Sequence, residues 1–210
     1  MTRRSKSSDR WLRRQRKDPF ASRAQREGQV SRAHFKLAEL DERFQLLRPG
    51  QCVLELGAAP GGWTRYLEER IGTGGGLLVC CDTRPLTRGP QTRFVQGAYG
   101  EPAVDDAVGA ALEGRAADLV VSDMAPNFSG IRAADQARAM ELAELAEHAA
   151  RRWLKPGGAL LVKLFQGAGV DEWLAALGGD FGKVKRVKPK ASRQESRELY
   201  AVALEFNSVR

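Results

Sequence analysis

The sequence has few residues that could form disulfides or bind a metal, and it has no long hydrophobic run. Among 210 residues there are three cysteines and two histidines. Cys52, Cys80 and Cys81 lie in apolar runs without a C-x-x-C pair, which indicates small buried side chains in a reducing cytoplasm. His34 and His148 are far apart, so no metal site is expected. The absence of about 18 consecutive apolar residues argues against a membrane span. The basic N-terminus also lacks the apolar stretch of a secretory signal.

Positive charge is concentrated near the N-terminus. Residues 1–32 contain eleven Lys or Arg and three acidic residues, a net charge of +8 that equals the formal charge of the whole chain. A second basic run, from Lys183 to Arg197, has seven cations against Glu195 alone. Clustered cations gain affinity for phosphates by releasing condensed counterions. The pattern therefore favours a polyanionic partner over a merely solubilising tail.

Beyond residue 29, helical and strand patterns alternate over a length suited to one domain. The first helix is indicated by apolar residues at three- and four-residue spacing, and Ser31 could cap it. Further helices are predicted over Gly62–Ile71, Asp105–Leu112, Ala134–Leu154 and Val170–Leu177. Strands are predicted over Cys52–Leu56, Leu77–Cys81, Arg93–Gln96, Leu119–Ser122, Ala159–Phe165, Lys183–Val187 and Leu199–Phe206. This order predicts a doubly wound, mostly parallel α/β sheet, with the last two strands as an antiparallel hairpin at its edge.

The turn after the first strand is rich in small residues. Gly57-Ala58-Ala59-Pro60-Gly61-Gly62-Trp63 leads directly into a helix. Glycines there let a ligand approach the backbone where a Cβ would clash, although such turns can also be purely structural. The spacing is not the G-x-G-x-x-G that seats a pyrophosphate. Asp82 ends the second strand, where a carboxylate can accept hydrogen bonds from both ribose hydroxyls of an adenosine. S-adenosylmethionine fits these features better than NAD.

A lysine inside an apolar strand is the most unusual feature of the second half. Lys163 stands in the fifth predicted strand, where an unpaired charge would be costly. Asp123 follows the fourth strand, so the two could form a structural salt bridge or face a pocket together at adjacent strand ends. Glu198 precedes the last strand, and Lys36 lies in the first helix between Phe35 and Leu37.

These motifs resemble the FtsJ family of ribosomal RNA 2′-O-methyltransferases, over about Ser31 to Phe206. Five motifs occur in the family's order: Ser31-Arg-Ala-His-Phe-Lys-Leu37, Leu54-Glu-Leu-Gly-Ala-Ala-Pro-Gly-Gly-Trp63, Ser122-Asp-Met-Ala-Pro126, Val162-Lys-Leu-Phe-Gln-Gly167 and Ser192-Arg193 with Ser196-Arg-Glu-Leu-Tyr200. Within the family, the sequence is most similar to the bacterial enzymes that methylate a uridine of 23S rRNA in the peptidyl-transferase A-loop.

The resemblance implies a Rossmann-like S-adenosylmethionine-dependent methyltransferase with a seven-stranded sheet. It implies a catalytic tetrad at Lys36, Asp123, Lys163 and Glu198, and contacts to the methyl donor, S-adenosyl-L-methionine, from four residues. Those four are Gly61, Trp63, Asp82 and Asp123. It also implies 23S rRNA in the large ribosomal subunit as partner, with no membrane and a monomeric enzyme. The domain organisation is then a flexible, basic RNA-binding arm over residues 1–29 and a single methyltransferase domain over residues 30–210.

The residue types suit methyl transfer to a hydroxyl, which is an in-line displacement that depends on positioning. Lys163 would act as the base in its neutral form, or stabilise the developing alkoxide in its charged form. Lys36 and Glu198 would orient the ribose and Lys163, while Asp123 would position Lys163 and the methyl donor. Ala98 stands where the family usually has an acid near the adenine, so the backbone or a neighbour would contact that base.

Three alternatives remain at this stage. A methyltransferase of the same fold acting on a base, protein or small molecule is disfavoured, because Asp123-Met-Ala-Pro126 stands where amino-group methylators have an Asn/Asp-Pro-Pro-aromatic run. A non-catalytic RNA-binding relative is disfavoured, because all four tetrad positions are filled. A transfer-RNA 2′-O-methylating relative of the same family is not excluded by the sequence.

Overall fold

The computed structural model describes Arg26 and residues 31–207, so the predicted arm lies, apart from Arg26, outside the described residues. Helices and strands alternate along the described chain. They are α1 (Ala33–Phe44), β1 (Cys52–Leu56), α2 (Thr64–Ile71), β2 (Leu77–Asp82), β3 (Thr92–Gln96), α3 (Pro102–Ala111), β4 (Ala117–Ser122), α4 (Arg132–Trp153), β5 (Leu154–Phe165), α5 (Val170–Leu177), β6 (Phe181–Val187) and β7 (Glu198–Phe206).

The strands form one seven-stranded sheet in the order β3-β2-β1-β4-β5-β7-β6. The pairs from β3 to β5 are all parallel. Helices lie in the crossovers from β1 to β2, from β3 to β4 and from β4 to β5, whereas β2 and β3 are joined by residues 83–91 without a helix. β7 pairs antiparallel with both β5 and β6, so the final hairpin folds back and inserts β7 next to β5. The predicted doubly wound sheet with an antiparallel C-terminal hairpin is confirmed.

Two hydrophobic layers cover the sheet because successive strand residues point to opposite faces. In β1, Leu54 belongs to the hydrophobic cluster that includes residues of α3, α4 and α5, whereas Val53 belongs to the cluster that includes residues of α1 and α2. Every residue of β1 and β2 is buried, as expected for strands covered on both faces. α1 and α2 therefore form one outer layer and α3 to α5 form the other.

Some element boundaries differ from the predicted ones. α3 begins three residues earlier than predicted, at Pro102, whose fixed φ and missing N–H suit the first position of a helix. β5 begins at Leu154, because this residue pairs with Ala117 before an irregularity shifts the register. At α1, the N-cap is Arg32 rather than Ser31, although the Ser31 hydroxyl still accepts a hydrogen bond from the Ala33 amide at 3.2 Å.

The three cysteines are buried and have free thiols. Burial, with Asp82 and Asp105 nearby, raises the pKa of Cys81 to about 12, and burial also raises the pKa of Cys52. They serve as small core side chains. None of the helices in the described part of the chain is long and apolar enough to cross a membrane.

Candidate active site

A cavity of about 780 Å³ opens at the carboxyl ends of the parallel strands. It lies where the chain order reverses between β1 and β4, the place where open α/β sheets bind their ligands. Its walls come from the ends of β1, β2, β3, β4 and β5. The lining includes Gly57, Ala59, Cys81, Asp82, Gly97, Ala98, Tyr99, Asp123, Met124, Phe128 and Lys163.

Asp82 is held firmly in this wall. It is buried, and its two carboxylate oxygens accept hydrogen bonds from the backbone amides of Ala59 and Arg84, both at 2.8 Å. The Oδ2 oxygen can accept a second bond from a ligand hydroxyl, whereas Oδ1 also has Thr83 Oγ1 and Arg84 Nε at 3.5 Å, long contacts that a ligand hydroxyl could replace. The residue therefore joins the end of β2 to the turn after β1 and keeps capacity for a ribose.

Two glycines in the turn after β1 allow close backbone contacts. Gly57 has φ +74°, and a Cβ there would come within 2.7 Å of the Met124 amide nitrogen. At Gly62 a Cβ would come within 2.6 Å of the Ser31 hydroxyl. Gly57 thus brings the ends of β1 and β4 together beside the cavity, whereas Gly62 makes room for the segment that leads into α1.

Gly61 and Trp63, two predicted contacts of the methyl donor, do not line this cavity. Gly61 adopts φ +101° in the turn. The Trp63 side chain is buried, donates from Nε1 to the Ala33 carbonyl at 2.9 Å, and packs against Tyr200 with 5.9 Å between ring centroids. The Trp63 side chain thus anchors α1 to the sheet.

The four predicted tetrad residues come together as two ion pairs. Lys36 Nζ lies 2.6 Å and 2.8 Å from the two carboxylate oxygens of Glu198. Lys163 Nζ lies 3.1 Å from Asp123 Oδ1 and also donates to the Asp123 carbonyl. The side chains of both lysines are at least nine-tenths buried. Buried charges are tolerated when they are paired in this way.

Tyr200 and Ser192 connect to the two pairs, and the sequence analysis had assigned no role to either. The Tyr200 hydroxyl lies 3.5 Å from Asp123 Oδ1, and the Ser192 hydroxyl donates to Glu198 Oε1 at 2.8 Å. Tyr200 was foreseeable, since it follows Glu198 by two positions along β7 and so faces the same side of the sheet. No spacing signal pointed to Ser192.

The electrostatics keep Glu198 ionised. Burial alone would raise the pKa of Glu198, but the charge of Lys36 and hydrogen bonds from Lys36 and Ser192 outweigh burial, so the pKa lies below its ordinary value. Burial, together with the charges of Asp123 and Glu198, raises the pKa of Tyr200 far above its usual range. Tyr200 is therefore a neutral hydroxyl between two carboxylates.

Ala98 lines the cavity between Gly97 and Tyr99. Its side chain offers no hydrogen bond, so an adenine lying there would have to contact a backbone group or a neighbouring side chain. This is the position at which the resemblance implies an acid.

A sheet of this strand order, an acid at the end of β2 and lysine–carboxylate pairs beside the cavity define the class of Rossmann-like methyltransferases. The profile of the FtsJ-like methyltransferase family matches residues 29–206 of this chain. This chain belongs to that family.

Similar proteins agree with this assignment. A protein of Acidithiobacillus ferrooxidans named ribosomal RNA large subunit methyltransferase E is 49% identical over 98% of this chain and 93% of its own length. One of the same name from Stutzerimonas stutzeri is 48% identical over 97% and 98%. A crystal structure described as a ribosomal RNA methyltransferase from Plasmodium falciparum has a TM-score of 0.77 and 28% identity, covering 85% of this chain and 99% of that one.

Proposed function

We propose that this chain transfers the methyl group of S-adenosyl-L-methionine to the ribose 2′-hydroxyl of a uridine in the A-loop of 23S rRNA, in the large ribosomal subunit. The observation that carries the proposal is the pairing of two buried lysines with two carboxylates beside the main cavity. The names of the relatives, which refer to the large ribosomal RNA, support the choice of substrate.

The residues around the cavity suit an adenosine-containing methyl donor. The Asp82 carboxylate would accept both ribose hydroxyls, while Gly57, where a Cβ would collide with Met124, lets the ends of β1 and β4 meet at the cavity wall. We assign Asp123 to the methionine end, next to Lys163, and keep Gly61 and Trp63 as proposed contacts in the turn after β1, outside the cavity lining. When bound, S-adenosyl-L-methionine supplies an electrophilic methyl group on a sulfonium.

The tetrad would act on the attacking hydroxyl. As a neutral amine, Lys163 would take its proton, and as an ammonium it would stabilise the alkoxide as charge develops. Asp123 holds Lys163 through its side chain and its carbonyl, which fixes the amine at the edge of the cavity. The Lys36–Glu198 pair, steadied by Ser192, would orient the ribose.

The distribution of charge supports a large RNA partner. We propose that residues 1–29 form a basic RNA-binding arm attached to one methyltransferase domain over residues 30–210, acting as a monomer. In the described part of the chain, Lys185 and Lys190 of the second basic run are exposed and take part in no ion pair. Such cations remain available to phosphates.

One experiment tests both the reaction and the substrate. The protein would receive labelled methyl donor with naked ribosomal RNA, isolated large subunits or transfer RNA, followed by digestion and identification of the methylated nucleoside. We expect a 2′-O-methyluridine from the large-subunit RNA, and transfer by Lys163→Ala that is slower by at least roughly 100-fold. A methylated transfer RNA alone would favour the transfer-RNA relative. Binding without transfer to any substrate would favour a non-catalytic relative.

A further inference from the structure

A second, smaller cavity adjoins the tetrad from the other side. Its volume is about 370 Å³, and it is lined by the loop before α4, the end of β5 and the residues just before β7. Phe165 in its wall pairs with Glu198 in the sheet, and the Lys163 Nζ lies 5.9 Å from the Phe165 ring centroid. A single side chain, that of Phe165, therefore lies between this cavity and the Lys163 amine.

Phe128 borders both cavities. It lines the main cavity together with Asp123 and Lys163, and it lines the second cavity together with Phe165. Its ring meets that of Phe165 edge to face, with 5.1 Å between centroids. Phe128 is nevertheless 59% exposed. Among the large hydrophobic residues of the described chain, only Ile131 is also exposed.

The loop that carries Phe128 is held in a fixed shape. Asp135 of α4 accepts hydrogen bonds from the Ser129 amide and hydroxyl, both at 2.7 Å, and from the Gly130 amide at 3.0 Å. These bonds lower the pKa of the Asp135 carboxyl, so they are present at neutral pH. An exposed aromatic ring on a loop fixed this way is poised for a ligand, because little conformational entropy is lost when the ligand stacks on it.

The polar groups in the wall restrict what that ligand can be. Arg197 donates hydrogen bonds to the Gln166 carbonyl and to Gln136 Oε1. It therefore forms part of the cavity wall more than it offers a cation to a ligand. Arg132 at the rim is exposed and has no ion-pair or hydrogen-bond partner within the described chain. The lining thus offers two aromatic rings, those of Phe128 and Phe165, polar walls and the available cation Arg132, together with the exposed carboxylate of Glu195. The aromatic surface suits a planar base, and Arg132 suits the phosphate attached to it.

The geometry points to the second cavity as the seat of one unpaired nucleotide of the substrate RNA, with its base stacked on Phe128. The inference rests on the proposed function, since it requires an RNA ribose at the tetrad. Phe128 is then a positioning residue for the ribose. Because Phe128 lines both cavities, RNA in the second cavity and the methyl donor in the main cavity would contact the same side chain. Arg132 lies where the phosphate of that nucleotide would pass.

The test compares Phe128→Ala with Phe128→Trp and with Ile131→Ala, using the RNA substrate that the wild-type protein methylates. Ile131 is the matched control, because it is 66% exposed on the same loop but lines neither cavity. We expect Phe128→Ala to raise the KM for RNA by about 5- to 150-fold, the range for stacking one base on an aromatic side chain. Phe128→Trp should restore it to within about threefold, and Ile131→Ala should resemble wild type.

Two further measurements distinguish stacking from other roles. The slope of log RNA affinity against log salt should be unchanged in Phe128→Ala, because a stacked base releases no counterions. Calorimetry should show unchanged affinity for S-adenosyl-L-methionine. Equal RNA affinity in Phe128→Ala and Ile131→Ala would overturn the inference, and so would an equal loss of affinity for RNA and methyl donor. A wild-type protein that methylates no RNA would instead remove the proposed function and the inference together.

Discussion

At the scale of single residues, the site depends on burying two ammonium groups without leaving either unpaired. Removing one partner of a buried pair costs more than the pair itself contributes, because the remaining charge stays buried. Lys36 and Glu198 satisfy each other almost completely, whereas Lys163 divides its bonds between the side chain and the carbonyl of Asp123. Of the two lysines, only Lys163 also lines the main cavity, which is why we propose that it meets the hydroxyl.

The first prediction concerns Lys163. Lys163→Ala should lower kcat by at least roughly 100-fold, the low end for general acid–base catalysis, while methyl-donor affinity persists. Lys155→Ala is the matched control, since Lys155 is an exposed lysine on the same strand, β5.

Combining Lys163→Ala with Lys36→Ala should lower kcat little more than Lys163→Ala alone, because the effects of groups that act as a unit are not additive. Single-turnover methylation assays measure these effects, and a near-normal rate for Lys163→Ala would remove it from the tetrad.

The second prediction concerns Asp82. Asp82→Ala should weaken S-adenosyl-L-methionine binding by about 1.5–3 kcal/mol, the range for hydrogen bonds to a charged group. The control is Asp118→Ala, which removes a carboxylate that accepts from the Cys52 amide at 2.8 Å, at the opposite end of the strands. Calorimetric titration of both folded variants gives the comparison. Equal affinities would show that Asp82 holds only the turn after β1.

The third prediction concerns Glu55, a buried carboxyl of β1 that accepts hydrogen bonds from Thr64 Oγ1 at 2.7 Å and Cys80 Sγ at 3.2 Å. Burial raises its pKa from 4.5 to about 8. The folded protein therefore keeps a proton that the unfolded chain releases. The stabilisation is complete below about pH 4.5 and is lost as pH rises through about 8.

Glu55→Gln should remove this loss, since glutamine mimics the protonated acid. At pH 7 the variant should be more stable by about 1–3 kcal/mol, a figure below the full value of the pKa shift because the core relaxes. Urea unfolding between pH 5 and pH 9 tests it, with the exposed Glu205→Gln as control. Parallel curves for wild type and Glu55→Gln would show that Glu55 ionises normally in the folded state.

At the scale of elements, α1 contributes Lys36 to a site otherwise built from strand ends. Two contacts set its position: the hydrogen bond from Trp63 Nε1 to the Ala33 carbonyl, and the close approach of Ser31 to Gly62. On its other side, Arg32 donates to the Ala191 carbonyl at 2.6 Å, in the segment between β6 and β7. The glycine-rich turn therefore positions α1, and with it Lys36, in addition to its proposed contacts with the methyl donor.

The fourth prediction follows from that role. Trp63→Phe should lower kcat by about tenfold, because α1 loses a buried hydrogen bond worth about 1 kcal/mol and Lys36 is held less precisely. Trp173→Phe is the matched control. It also loses one indole hydrogen bond, to Glu147 Oε2 at 2.6 Å, but it lies on the opposite face of the sheet and lines neither cavity. Both variants should lose similar melting temperature, and an equal loss of kcat in both would refute a specific role for Trp63.

The elements differ in how well the sequence predicted them. β1, β2 and β4 are short apolar runs between turn residues, so the sequence pattern alone predicted these strands. The alternation of helices and strands predicted that they run parallel. The start of β5 did not, because it depends on a partner residue in β4 rather than on local sequence. Boundaries of this kind are decided by tertiary pairing.

The residues of the candidate site also differ in how well the sequence predicted that they would meet. Asp123 and Lys163 follow from the rule that parallel strands end at one edge, so their meeting could be expected from the sequence. Lys36 and Glu198 are 162 residues apart along the chain, and only the resemblance linked them before the structure showed their contact. The second cavity was not foreseen, since it forms where the loop before α4 meets the segment before β7.

At the scale of the whole molecule, the excess positive charge and the proposed catalytic residues lie in different parts of the chain. The net formal charge of +8 is equalled by residues 1–32 alone, so the remainder is neutral overall. An electrostatic surface gives affinity for RNA without sequence preference, while positioning at the site selects the nucleotide. The two contributions should therefore be separable by truncation.

The last prediction makes that separation. Deleting residues 1–29 removes ten of the 34 Lys and Arg residues but leaves the tetrad, which begins at Lys36. Melting temperature and methyl-donor affinity should stay nearly unchanged. RNA affinity should fall, and each lost phosphate contact should remove about 0.7–0.9 from the slope of log affinity against log salt. If half of the deleted cations contact phosphates, the slope shrinks by roughly 3.5–4.5. At saturating RNA the trimmed protein should still methylate. RNA titrations at several salt concentrations measure the slopes, and identical slopes for both proteins would make residues 1–29 a solubilising tail.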